Sequence, residues 1–151
     1  MMDTAIVGVG NILMKDDGVG VHVARALVGH PLPVDVCVLD AGTDPYAAFE
    51  ITEARRVIVI DAAQGDGEPG TIYRLPDEAA GAAANVGRSC HDMGLLQTLR
   101  DSRSSDHPME IIVIGIEPRT IDWGLDLSPE IAARVPHIIE IVLEELRGYR
   151  C

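Results

Sequence analysis

TAIVGVGNILMKDDGVGVHVARAL, from Thr4 to Leu27, is the stretch whose reading decides the fold. Ala5 to Val9 is a short apolar, β-branched run that stops at glycines, whereas Val19, Val23, Ala26 and Leu27 recur at helical spacing. The pattern predicts strand, loop, helix. Gly8 and Gly10 supply the first two glycines of a dinucleotide-binding fingerprint, but Leu13 stands where the third belongs. Asp16 and Asp17 then occupy the loop where a bound pyrophosphate would meet the helix N-terminus. Two carboxylates there repel a phosphate and favour a cation. A single acid at this point has a plainer account, with Asp17 capping the helix and Asp16 its solvated neighbour, so the rest of the chain has to decide.

Working outward, His30 to Pro33 breaks the helix, and Val34 to Asp40 reads as a second strand. A turn at Ala41 to Pro45 leads to a helix over about Tyr46 to Ala54. Val57 to Ala62 (VIVIDA) is apolar on both faces, as a central parallel strand must be, and ends on Asp61. Thr71 to Leu75 predicts a short antiparallel edge strand, and Pro76 to Gly87 is ambiguous. Met93, Leu95, Leu96 and Leu99 mark a helix starting near His91. Glu110 to Ile116 is a further buried strand, a long loop runs through Trp123, and Ser128-Pro129 opens a last helix reaching Leu146. Strands alternating with helices predict one domain spanning residues 1–151, a three-layer, doubly wound α/β sandwich. Its mostly parallel sheet has about five strands, with helices on both faces.

Composition narrows the partners. Apolar residues make up 47% of the chain but aromatics only 3%, so the core must be built from Val, Ile, Leu and Ala. A net charge of −12, with Lys15 the only lysine, disfavours nucleic acid and anionic membrane surfaces. It favours a metal ion, a basic peptide or a basic partner surface. Cys37, Cys90 and Cys151 form neither a disulfide framework nor a four-thiolate zinc site, and a reducing cytoplasm is the expected compartment. Met1-Met2-Asp3 runs straight into a strand, with no secretory pattern or membrane span expected. Nothing demands a dimer, so a monomer is the default.

In such sheets the segments after the strands' carboxyl ends share one edge, where ligands bind. Asp16 and Asp17, Asp40, Asp61 and His91 all fall there. Two carboxylates and an imidazole form a three-donor set that leaves coordination positions open, suited to Zn, Ni or Mn. Asp17, Asp61 and His91 are the expected ligands. Asp16 is assigned to fixing the loop, and Asp40 to an outer position or to accepting a proton. Hydrolysis is the natural reaction class, because a metal with an open position polarises carbonyls and activates water. There is no G-x-S-x-G or H-E-x-x-H, and Ser89, Cys90 and His91 are consecutive, which suits no nucleophile–base pair. His22, expected on the polar side of the first helix, carries little weight, as do His30, His107 and His137. Trp123 is expected to pack, with lining a peptide groove as the alternative.

With these residues in place the chain resembles the nickel-iron hydrogenase maturation endopeptidases. The matching segments are GVGNILMKDDGVGV (Gly8–Val21), VLDAGT (Val38–Thr43), VIVIDA, SCHDMGL (Ser89–Leu95) and IGIEP followed by GLDLSPEI (Gly124–Ile131). The resemblance implies an endopeptidase that removes a C-terminal extension from the large-subunit precursor once nickel has been inserted. It places the metal site on Asp17, Asp61 and His91 and a substrate-admitting turn on Gly42 and Thr43, with Ala41 standing where glycine is more common. It further implies that nickel arrives with the substrate, with zinc or another divalent ion as the alternative occupant. The competing reading is a nickel-sensing assembly factor that docks on the large subunit without cutting it. A flavodoxin-like nucleotide-binding module is disfavoured by Leu13 and the paired acids.

Overall fold

Why the central strands lie where they do follows from their side chains. The computed structural model describes residues 2–76 and 90–149. Arg56–Ala62 (β3) and Glu110–Ile116 (β5) are β-branched nearly throughout, and almost every residue in them is buried. Such runs have no solvent face to offer, so they take the middle of a sheet covered on both sides. Thr4–Val9 (β1) joins them, Val36–Gly42 (β2) forms one edge, and Ile72–Pro76 (β4) the other. The order is β2-β1-β3-β5-β4, with every pair parallel except β4 with β5. The five-stranded, mostly parallel sheet and its antiparallel edge strand are as the sequence predicts.

Alternation along the strands sorts the core into two layers. Ile6, Ile58, Ile60, Ile112, Ile114 and Ile116 pack with Val19, Val23 and Leu27 of Val19–Leu27 (α1) and with Ile131, Ile138 and Val142 of Pro129–Tyr149 (α3). On the other face Val7, Val57, Val59, Ile111 and Val113 pack with Leu95 and Leu99 of Cys90–Ser102 (α2). Ala47, Ala48 and Ile51 join that layer. They belong to a 3-10 helix over Pro45–Ile51, where the sequence predicts a longer α-helix. Asp44 caps it by accepting from the Tyr46 amide at 2.9 Å, and Pro45 opens its first turn.

The first loop also departs from expectation. A short 3-10 turn, Lys15–Gly18, precedes α1, and Gly18 rather than Asp17 is the residue at the helix N-cap. The glycines serve close packing inside the chain. A Cβ on Gly20 would stand 2.0 Å from the Ile60 carbonyl oxygen and 2.6 Å from that of Val9, and one on Gly8 would stand 2.3 Å from the Gly20 oxygen. The start of α1 thus rests directly on the backbone of β1 and β3, with no room between for a pyrophosphate.

At the opposite, amino-terminal edge, buried Arg56 donates to the Glu145 carbonyl oxygen at 2.7 Å and to its carboxylate at 2.5 Å, and Arg74 also pairs with Glu145. These bonds pin α3 across β3 and β4. Among the described residues no helix is long and apolar enough to cross a membrane.

The contact at Gly20 yields a stability prediction. Gly20→Ala meets backbone atoms that cannot rotate away, so it should cost at least about 2 kcal/mol and lower Tm by roughly 5 °C or more. Thermal denaturation followed by circular dichroism measures this, and an unchanged Tm would show that α1 is free to lift.

Candidate active site at the carboxyl edge of the sheet

Gly10 is where three segments meet. Its amide donates to the Gly42 carbonyl at 2.9 Å, joining the end of β2 to the loop after β1. Its φ of +129° is open to glycine but strained for other residues. A Cβ there would lie 2.0 Å from the Asp17 carbonyl oxygen and 3.5 Å from Asp61 Oδ1. The loop bearing Asp17 and the end of the strand bearing Asp61 are thereby brought together with only a hydrogen atom's clearance at Gly10. Both acids are buried, at 7% and 4% exposure. The Asp17 carboxylate reaches back to accept from the Asn11 amide at 2.9 Å, so it organises the loop and does not cap the helix. Asp61 Oδ1 accepts from the Ala62 amide at 2.8 Å.

Alternation along β3 puts Asp61 on the same face as Val57 and Val59, the face covered by α2. His91 is the second residue of α2, and its side chain lies outside the described residues. The first turns of α2 meet the start of the 3-10 helix that follows β2 through Gly94, where a Cβ would stand 3.0 Å from Pro45 Cβ. Ala41, Gly42 and Thr43 therefore border the same edge. Ala41 packs in the core, and the left-handed residue of this turn is Gly42, with φ +55°, so the turn does not require glycine at position 41. Among the described residues no group of three His, Cys, Asp or Glu side chains gathers at metal-binding distance. The structure brings the Asp17 backbone and the Asp61 carboxylate to Gly10, and for the third expected donor it gives the helical position alone.

Two buried carboxylates hold the surrounding loops. Asp16, fully buried, accepts from the amides of Arg119 (3.0 Å), Thr120 (2.9 Å) and Ser128 (2.8 Å) and from the Ser128 hydroxyl. Burial pushes its pKa up, but the Ser128 hydroxyl and these amides outweigh it and hold the carboxyl below its usual value. Asp16 is the loop-fixing residue the sequence predicts. Glu117, at the end of β5, accepts from Gly65 at 2.7 Å, Gly67 at 3.2 Å and the Tyr73 hydroxyl at 2.7 Å, shaping the loop that follows Asp61. Burial and the neighbouring Glu117 push the Tyr73 phenol up. Sequence reading missed Glu117; an acid placed directly after a fully buried strand was the available signal.

This arrangement has relatives. A family model described as hydrogenase maturation protease matches residues 21–145. The chain belongs to the hydrogenase maturation protease family. It is 33% identical to a putative hydrogenase maturation protease of Methanocaldococcus jannaschii, over 96% of this chain and 97% of that one. It is 31% identical to the hydrogenase 2 maturation protease of Escherichia coli, over 97% and 92%. The solved structure of the hydrogenase maturating endopeptidase HybD from E. coli superposes with a TM-score of 0.87 at 30% identity, covering 98% and 94% of the two chains.

Within this hydrogenase maturation protease the remaining expected residues are placed as follows. Asp40 forms an ion pair with Arg25 of α1 at 2.9 Å, both side chains being largely exposed. Along β2 it shares the α1 face with Val36 and Val38, opposite the face of Asp61. His22 is half-buried rather than on a polar face, and its Nε2 is enclosed without a hydrogen-bond partner among the described residues. Cys37 packs against the α2-side core, and burial raises its thiol pKa, with a smaller push from Glu50. His107 bonds the Thr52 carbonyl at 2.8 Å, remote from the acids.

A depressed carboxyl pKa in the folded state stabilises the fold above the unfolded value, and that stability is lost as pH falls through the folded value. Asp16→Asn leaves several amide donors facing a single acceptor, so it should destabilise the protein by about 2–4 kcal/mol at pH 7. Urea denaturation between pH 7 and pH 2.5 should show the gap between wild type and variant constant near neutrality and closing below about pH 3.8, the usual Asp value. A gap independent of pH would mean that Asp16 is not held as a carboxylate.

Proposed function

We propose that this chain is an endopeptidase that removes the C-terminal extension from the nickel-loaded large-subunit precursor of a nickel-iron hydrogenase. The observation that carries the reading is the convergence on Gly10 of the Asp17 backbone and the Asp61 carboxylate, at the carboxyl edge of the sheet in a fold shared with a known maturating endopeptidase. Nickel enters as part of the substrate, and Asp17, Asp61 and His91 are the residues that would recognise it. Both acids are buried near Gly10, where a divalent cation would offset their charge. The Asp17 carboxylate accepts from the Asn11 amide and Asp61 Oδ1 from the Ala62 amide, and a carboxylate can accept at both of its oxygens. Oxygen and nitrogen donors suit Ni and Zn alike, so zinc fits the same set when nickel is absent.

A divalent ion held by Asp17, Asp61 and His91 would supply Lewis acidity to polarise a carbonyl or activate water. The chain supplies position. Gly42 and Thr43 border the acids on an edge turn and are the residues proposed to meet the precursor's backbone. Thr43 is exposed, and the Gly42 carbonyl is engaged by Gly10. Asp40, fixed by Arg25, is proposed to accept a proton at the rim rather than to bind the metal.

Intact-mass analysis of the precursor mixed with this protein, with and without nickel loading, tests the reading. Loss of a C-terminal peptide from the nickel-loaded precursor alone is expected. Asp17→Asn and Asp61→Asn should each lower the rate at least about a hundredfold while the circular dichroism spectrum is kept, and Asp40→Asn about tenfold. Association without mass loss would replace the endopeptidase with an assembly factor that docks and does not cut.

A further inference from the structure

Beside the candidate site the chain leaves large apolar side chains in water. Leu13 is 49% exposed, Ile121 42%, Trp123 73% and Leu125 63%. They come from two loops tied to each other. Met14 and Gly124 form an isolated parallel bridge, with the Gly124 amide donating to the Leu13 carbonyl and the Lys15 amide to the Gly124 carbonyl, both at 2.9 Å. Residues flanking a bridged pair lie side by side, so Leu13 is set next to Trp123 and Lys15 next to Leu125. Lys15 also lies along Gly124, where a Cβ would stand 2.8 Å from its Cε. Asp16, one residue further on, locks the same two loops together from beneath.

Among the described residues, Leu13, Ile121 and Leu125 are the exposed Ile and Leu, they share these two loops with Trp123, and clustered exposed apolar groups mark interaction surfaces. The charge around them indicates the partner's chemistry. Arg119 is paired with Glu130, which leaves Asp122 and Asp126, both exposed, against Lys15 on a chain of net charge −12. Such a surface fits an apolar segment accompanied by positive charge. Because Asp16 already holds the loops, docking orders little new backbone, which favours affinity.

We propose that Leu13, Ile121, Trp123 and Leu125 form the docking surface for the hydrogenase precursor, taking an apolar segment flanked by basic residues while Asp17 and Asp61 engage the cleavage region. The proposal rests on the endopeptidase reading above and deepens it. Trp123 is the only tryptophan in the chain, so protein labelled with 5-fluorotryptophan gives a single fluorine resonance that reports this surface alone. Adding the nickel-loaded precursor should shift or broaden that resonance. The double variant Trp123→Ala, Leu125→Ser should raise KM for the precursor about tenfold or more, with a greater effect on KM than on kcat. Val34→Ser removes an equally exposed apolar residue from the opposite edge and should leave KM alone.

Cleavage of the precursor with an unmoved resonance, or an unchanged KM in the double variant, overturns the docking surface and leaves the endopeptidase standing. A moved resonance without cleavage supports the surface and removes the protease. Neither cleavage nor a moved resonance overturns both.

Discussion

The buried carboxylate of Asp16 is the constraint on which the working edge of this protein depends. A charge with no exposed surface is tolerable only if hydrogen bonds replace its water, and here three amides and one hydroxyl do so. All four donors come from the segment between β5 and α3, more than a hundred residues away along the chain. The loop after β1 therefore cannot take its shape until the last helix has docked. Asp17 inherits its position from that closure. So does the bridge between Met14 and Gly124, which brings the exposed apolar residues of the two loops into register.

Glycine crowding performs the complementary task. Where Asp16 pulls the loops inward, Gly8, Gly10 and Gly20 let backbone approach backbone to distances that no side chain would allow. In a dinucleotide-binding fold the same kind of glycine makes room for a pyrophosphate. Here the space is filled by carbonyl groups of β1, β3 and the loop itself, and acids line what remains. The residues placed in the loop of one strand-loop-helix frame thus decide what the frame can hold. Glu117 repeats the device on the far side of Asp61, drawing Gly65, Gly67 and Tyr73 onto a single carboxylate oxygen.

How much of this the sequence discloses depends on the range of the interaction. Strands β3 and β5 are legible to within a residue because continuous burial leaves no other assignment for VIVIDA and EIIVIGI. The carboxyl-edge location of Asp17 and Asp61 follows from topology, and so was legible too. The 3-10 geometry of Lys15–Gly18 and Pro45–Ile51 was not, because the choice between helix types is made by packing against the sheet rather than by propensity. Asp16 could be assigned to its loop, but its partners at Arg119, Thr120 and Ser128 are invisible to any local pattern. Trp123, expected to pack, stands 73% exposed, since a lone aromatic in a long loop carries no periodicity to show which side it takes.

The site's electrostatics and its place in the fold bear on why a maturation protease would wait for its substrate to be loaded. Asp17 and Asp61 are both nearly buried and are set beside loops already fixed by Asp16 and Glu117. On the proposed reading, segments held in this way would present both carboxylates to an arriving cation without rearranging. A precursor without metal would bring no such charge, whereas one carrying a divalent ion would meet acids already in place. If the docking surface beside the acids grips both forms equally, the acids alone discriminate between them. On the proposed reading, selectivity for a loaded precursor would need no conformational switch in the protease: the metal in the substrate would complete a site whose carboxylates are already positioned.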